Sequence, residues 1–153
     1  YKKAPFFEYY WPFIEEIYSN NSNHLVSHVF KTMKFSFKEL GITTKIVCAS
    51  ELEVQGTKSD LVLDICKKNN AKIYLTGNGF FNYLPANGKE IFSQGGVSIV
   101  LQQFSHPTYT QVGKNDFVAG LGILDLLFNE GPIKAKEIFW RNIQKDNRED
   151  YEL

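Results

Sequence analysis

His106 and Asp125 are the residues of this chain best suited to acid–base work. An imidazole titrates near neutral pH, so His106 can take a proton from a substrate amine or hydroxyl. It stands in Phe104-Ser105-His106-Pro107-Thr108-Tyr109-Thr110-Gln111, where the proline restricts the preceding residue to extended conformations. Tyr109 and Gln111 follow at alternating positions and can hydrogen-bond a polar ligand. Asp125 and Asn129 are four residues apart, hence on one face of a helix whose other face carries Ile123, Leu124, Leu127 and Phe128. A carboxylate beside an apolar stripe needs a partner. It can orient His106, bind a ligand hydroxyl, or serve in helix-cap and loop hydrogen bonding. A purely structural, hydrogen-bonded His106 is the plain alternative to catalysis.

The second candidate is the loop Thr76-Gly77-Asn78-Gly79. Glycine lets bare backbone N–H groups approach a phosphate, because no side chain blocks them. The loop matches neither a P-loop nor the dinucleotide fingerprint, so it reads either as a phosphate or sugar contact or as a tight turn. Lys58 and Ser59 open a helix and can reach an anion. His24 and His28 have a spacing that can bind a metal, yet no third ligand stands near them in the sequence, and no metal is expected.

Stepping outward, apolar residues recur at helical spacing from Phe7 to Tyr18, with Pro12 expected to kink or restart that helix. Val26, Val29, Phe30, Met33, Phe37 and Leu40 trace a second helix that should end at Gly41. Short β-branched runs at Lys45–Ala49, Lys72–Thr76 and Val97–Phe104 predict three strands. A helix opening with a capping-box-like Thr57 and Asp60 lies between the first two, and a turn at Phe80–Leu84 and a helix at Gly88–Gln94 precede the third. Two helical pieces, Leu121–Asn129 and Pro132–Trp140, follow, then a charged tail over 141–153. The alternation predicts an α/β fold: a short parallel three-stranded sheet with crossover helices, flanked by N-terminal and C-terminal helices, half of a Rossmann-like fold. Ligands of such sheets bind beyond the carboxyl ends of the strands, which selects Ser50-Glu51, Thr76–Gly79 and Ser105-His106 as one expected rim.

At 153 residues the chain has the size of a single domain. Seventeen basic and seventeen acidic residues cancel, so no global field attracts a polyanion, and nucleic acid is not an expected partner. Cys48 and Cys66 lie in apolar runs without a CxxC, which fits a reducing, cytoplasmic location. No apolar run is long enough for membrane insertion. The opening Tyr-Lys-Lys-Ala-Pro reads like the interior of a longer protein.

Taken together, Tyr1-Lys-Lys-Ala-Pro-Phe-Phe-Glu, Ile65-Cys-Lys, Tyr74-Leu-Thr-Gly, Phe104-Ser-His-Pro and Leu124-Asp-Leu-Leu-Phe-Asn resemble the WbqC-like protein family, collinearly over nearly the whole chain. The resemblance implies the C-terminal two-thirds of such a protein, the family's N-terminal strand and its Gln-Pro motif lying outside these residues. It also implies a setting in bacterial surface-polysaccharide (O-antigen type) biosynthesis. The expected activity is transfer or ligation of an acyl or aminoacyl group onto a nucleotide-linked amino-sugar. His106 would take the proton from the amine with Asp125 orienting it. Thr76, Gly77, Asn78 and Gly79 would hold phosphate, with Lys58 and Ser59 in reserve, while Tyr109, Gln111 and Asn129 would recognise hydroxyls. No cofactor is fixed beyond a nucleotide. The rival expectation is a non-catalytic sugar- or nucleotide-binding module or a pathway assembly factor, with the aromatic helix Phe7–Tyr18 as its partner surface. Either form can be a homo-oligomer or associate with pathway enzymes.

Overall fold

The computed structural model describes residues 1–19, 24–102, 104–113 and 116–146. It resolves into two compact units, one built on Tyr1–Thr44 and Ser105–Arg148, the other on Lys45–Phe104. Each has its own apolar cluster.

The first unit is helical. Helix α1 (Phe7–Ser19) buries Tyr10 and Ile14, and α2 (Leu25–Leu40) buries Leu40. Pro12 lies inside α1, which runs on through it without restarting. The apolar contacts of Tyr10 and Ile14 on either side of it offset the hydrogen bond that proline cannot donate. Helix α2 stops where the sequence places its end: Gly41 adopts φ 69°, and the Gly41 and Ile42 N–H groups close onto the Lys38 and Phe37 carbonyls. The C-terminal helix, numbered α5 in chain order (Ile123–Asp146), is interrupted at Gly131, φ 75° and ψ 179°, followed by Pro132. That break matches the two helical pieces expected there. Ala4, Tyr10, Ile14, Leu126, Leu127, Phe128, Ala135 and Ile138 form the core of this unit. The Trp140 indole N–H donates to the Leu40 carbonyl at 2.7 Å, tying α5 to the end of α2.

The second unit holds α3 (Lys58–Lys68), β1 (Ile73–Thr76), a 3₁₀ turn (Asn78–Asn82), α4 (Gly88–Gln94) and β2 (Ser98–Leu101). The strands pair in parallel, Ile73 opposite Ser98 through Thr76 opposite Leu101, with the turn and α4 in the crossover. Leu63, Cys66, Phe80, Phe92 and Val97 make its core. Burial pushes the Cys66 thiol above its ordinary value, as expected of a thiol that packs as a small hydrophobe.

The sheet among the described residues has two strands, where the sequence pattern predicts three. Lys45–Ala49 forms no ladder, and Lys45, Ile46 and Ala49 are exposed. A β-branched run becomes a strand only beside a neighbour that takes its N–H and C=O groups, and β1 pairs only with β2 here. The predicted third strand contracts to Ser98–Leu101; Gln103 lies outside the described residues. Of the charged tail expected over 141–153, residues 141–146 continue α5 and the rest lie outside the described residues. Thr57 occupies the cap position of α3 but makes no side-chain cap bond, so the capping box read from the sequence does not form.

Candidate functional site

The polar residues singled out near the C-terminus meet in the first unit. Residues Asp125 to Glu130 are buried on every side of α5, polar face included. What meets that face is the stretch 109–112 together with Val118, fastened by alternating contacts. The Tyr109 hydroxyl and the Gln111 amide both donate to Asp125 Oδ2 at 2.8 Å. Between them, the Thr110 backbone N–H donates to Glu130 Oε1 at 3.0 Å, and the Val112 N–H donates to Asn129 Oδ1 at 2.8 Å. This two-residue alternation is that of an extended chain, side chains on one register and backbone on the other. Gln111 also bridges to Val118, accepting from its N–H at 2.8 Å and donating to its carbonyl at 3.0 Å. Asn129 Nδ2 completes the cluster by donating to the Asp125 carbonyl and to Asp125 Oδ1.

Asp125 is only 3% exposed, and the partners of its carboxylate are neutral donors. Among the described residues no lysine, arginine or histidine forms an ion pair with it. Glu130, in contrast, is neutralised by Lys134 one turn on. Burial, then the hydrogen bond to Asp125, push the Tyr109 hydroxyl well above the ordinary tyrosine value. The Tyr1 phenol is raised too, by burial first and then by Asp125.

His106 stands at the start of the same segment, half-buried, in an aromatic group with Phe117 and Tyr109 at ring-centroid distances of 5.5 and 6.2 Å. Its Nδ1 lies 2.9 Å from the Pro107 carbonyl oxygen. A carbonyl can only accept, which assigns the neutral ring's proton to Nδ1 and leaves Nε2 as the basic nitrogen. The link from Asp125 to His106 that the structure shows runs through Tyr109, whose hydroxyl meets the carboxylate and whose ring faces the imidazole. Asn142 donates to the Ser105 carbonyl at 2.7 Å and fixes the entry to this segment.

Two pockets open on Asp125, and Tyr1 lines both. One, of about 360 Å³, is bordered by Lys2, Lys3, Gln111, Val112 and Leu121. The other, of about 570 Å³, is walled mainly by apolar side chains of α1, α2 and α5, among them Ile14, Met33, Phe35 and Leu124. Tyr1, Lys2, Lys3, Phe117 and Glu130 join the site without having been site candidates in the sequence. Only the Glu130/Lys134 spacing and the paired lysines offered a signal.

Thr76, Gly77, Asn78, Gly79, Lys58 and Ser59 belong to the other unit. The loop leaves β1 directly into the 3₁₀ turn, with Gly77 at φ −89° and ψ 172°. Neither Gly77 nor Gly79 uses positive φ, and a Cβ built on either meets no atom within 4 Å. Turn geometry therefore does not require these glycines, and the space in front of them is open. The Asn78 side chain lies outside the described set. Lys58 begins α3 at φ 51°, and Ser59 behind it is buried. No group of three or more metal-ligating side chains occurs among the described residues. No helix among them is long and apolar enough to cross a membrane.

The family model for WbqC-like proteins matches residues 1–137. The chain belongs to the WbqC-like protein family. That span takes in every candidate named above except Asn142. No curated protein and no solved structure matches the chain.

Proposed function

We propose that this WbqC-like protein acts in bacterial surface-polysaccharide biosynthesis on a nucleotide-linked amino-sugar, as an acyl or aminoacyl transferase or ligase. The observation that carries the reading is the buried Asp125 carboxylate, held by neutral donors, lining two pockets and linked through Tyr109 to the half-buried His106. A buried negative charge favours a cationic or proton-donating ligand group, and an amine is such a group. In this reading His106 Nε2 takes the amine's proton as its nitrogen bonds to the acyl carbon of an activated donor, whose activating group leaves with the electron pair of the broken bond. Asp125 acts through Tyr109 as a positioning residue. Gln111 and Asn129 hold the strap that shapes the pocket. Considered by itself, the second unit offers a separate phosphate contact on the Thr76–Gly79 backbone, with Lys58 and Ser59 as further candidates, and the open space before Gly77 and Gly79 supports it.

A binding-module reading has its own observation: α1 leaves Tyr9, Trp11, Phe13 and Tyr18 exposed, an aromatic surface of the kind that partners cover. Thermal stabilisation by a panel of nucleotide sugars and nucleotides separates the two. A ligand at 100 times its Kd adds about 2.7 kcal/mol, a rise of about 5 to 11 °C for a chain of this size. A selective rise that Gly77→Val abolishes, with turnover lost in His106→Ala, is the expected result. No rise with any of these ligands overturns the reading in favour of the module.

A further inference from the structure

The smaller pocket at Asp125 carries charges of both signs. Asp125 is nine-tenths and more buried and lacks a cationic partner among the described residues, while Lys2 and Lys3 line the same pocket and are exposed. A carboxylate offers about four lone-pair positions. Tyr109, Gln111 and Asn129 take three. Tyr1 lines the same pocket. Neutral donors satisfy the lone pairs without cancelling the charge; an ammonium group does both. Val112 and Leu121 add apolar wall beside these charged groups.

We propose that this pocket binds a free α-amino acid with an apolar side chain, its ammonium on Asp125, its carboxylate on Lys2 and Lys3, its side chain against Val112 and Leu121. At about 360 Å³ the space is at the small end of the range for small-molecule sites, which suits one residue-sized ligand. This binding stands apart from the function proposed above.

Titration calorimetry of the protein with L-leucine, isopentylamine and 4-methylpentanoate tests each half of the recognition. Leucine should bind, and each half-ligand should bind at least about tenfold more weakly, as loss of a charge-assisted contact requires. The double variant Lys2→Gln/Lys3→Gln should lower leucine affinity to that of isopentylamine and leave isopentylamine unchanged. Asp125→Asn should lower leucine to the level of 4-methylpentanoate. If Asp125→Asn fails to fold, the exposed lysine pair still decides the matter. Equal binding of leucine and 4-methylpentanoate, or none of leucine, alanine and serine, overturns the proposal. Amino-acid binding without stabilisation by any nucleotide sugar would keep this site and sink the proposed function; the reverse outcome would do the opposite.

Discussion

At the scale of single residues, Tyr109 and Tyr10 tie stability to pH. Burial and the neighbouring Asp125 hold the Tyr109 hydroxyl above the ordinary 10.0, and burial followed by the charge of Glu39 does the same for Tyr10. Both keep their protons in the folded state at a pH where the unfolded chain is losing them. Below pH 10 their contribution is complete; above it the unfolded state binds fewer protons than the folded one, and stability falls as pH rises. Tyr109→Phe should cost about 1.5–3 kcal/mol near neutrality, the worth of a hydrogen bond to a charged group, and should flatten the alkaline decline. Urea denaturation at pH 7 and at steps above pH 10 measures both effects. An unchanged midpoint at pH 7 would mean that the Tyr109–Asp125 bond does not hold the strap. The sequence made Tyr109, Gln111, Asp125 and Asn129 visible because tyrosine, amide and carboxylate side chains at strand and helix periods suggest shared contacts. It did not point to Tyr1, Lys2 and Lys3 as site residues, because they are remote in the chain from Asp125 and entered only as part of a family phrase.

At the scale of elements, two glycines that look alike in sequence differ in consequence. Gly131 interrupts α5 at a backbone conformation open essentially to glycine alone, and a Cβ there would lie 2.5 Å from the Phe6 ring. Gly41 also has positive φ, but its added Cβ would meet the Lys136 ammonium end, which can swing away. Gly131→Ala should therefore cost about 3 kcal/mol or more, from strain and overpacking together. Gly41→Ala should cost about 1 kcal/mol, from the left-handed backbone alone. Equal losses in thermal or urea unfolding would refute the distinction. The end of α2, the extent of α4, the parallel pairing and the break before Pro132 were all readable, because each rests on local chemistry: a C-terminal glycine, an apolar run, a proline. The strand expected at Lys45–Ala49 was not, because strand formation depends on a neighbour that no local pattern names.

At the scale of the molecule, the chain places one cluster of apolar residues in Lys45–Phe104 and another in the segments on either side of it. Composition and length give the size of one domain, and nothing in the hydrophobic content distinguishes one cluster from two. Separate clusters permit separate opening, and this can be measured. Phe92 is 1% exposed and packs its ring against Tyr74 and Phe80 at 6.0 and 5.6 Å. Phe92→Ala leaves a cavity worth about 3–5 kcal/mol in the second unit. Native-state hydrogen exchange should then show faster exchange at α3, α4, β1 and β2, while amides around Tyr10 in α1 and Leu127 in α5 keep their protection. Leu127→Ala, at a side chain with no exposed surface, should produce the mirror image. If both variants lower protection equally everywhere, the two clusters open as one cooperative unit, and ligand contacts in either would stabilise the whole. If the patterns separate, a phosphate at Thr76–Gly79 should protect only the second unit and an amino acid at Asp125 only the first, so exchange with each ligand in turn would locate its site without a substitution.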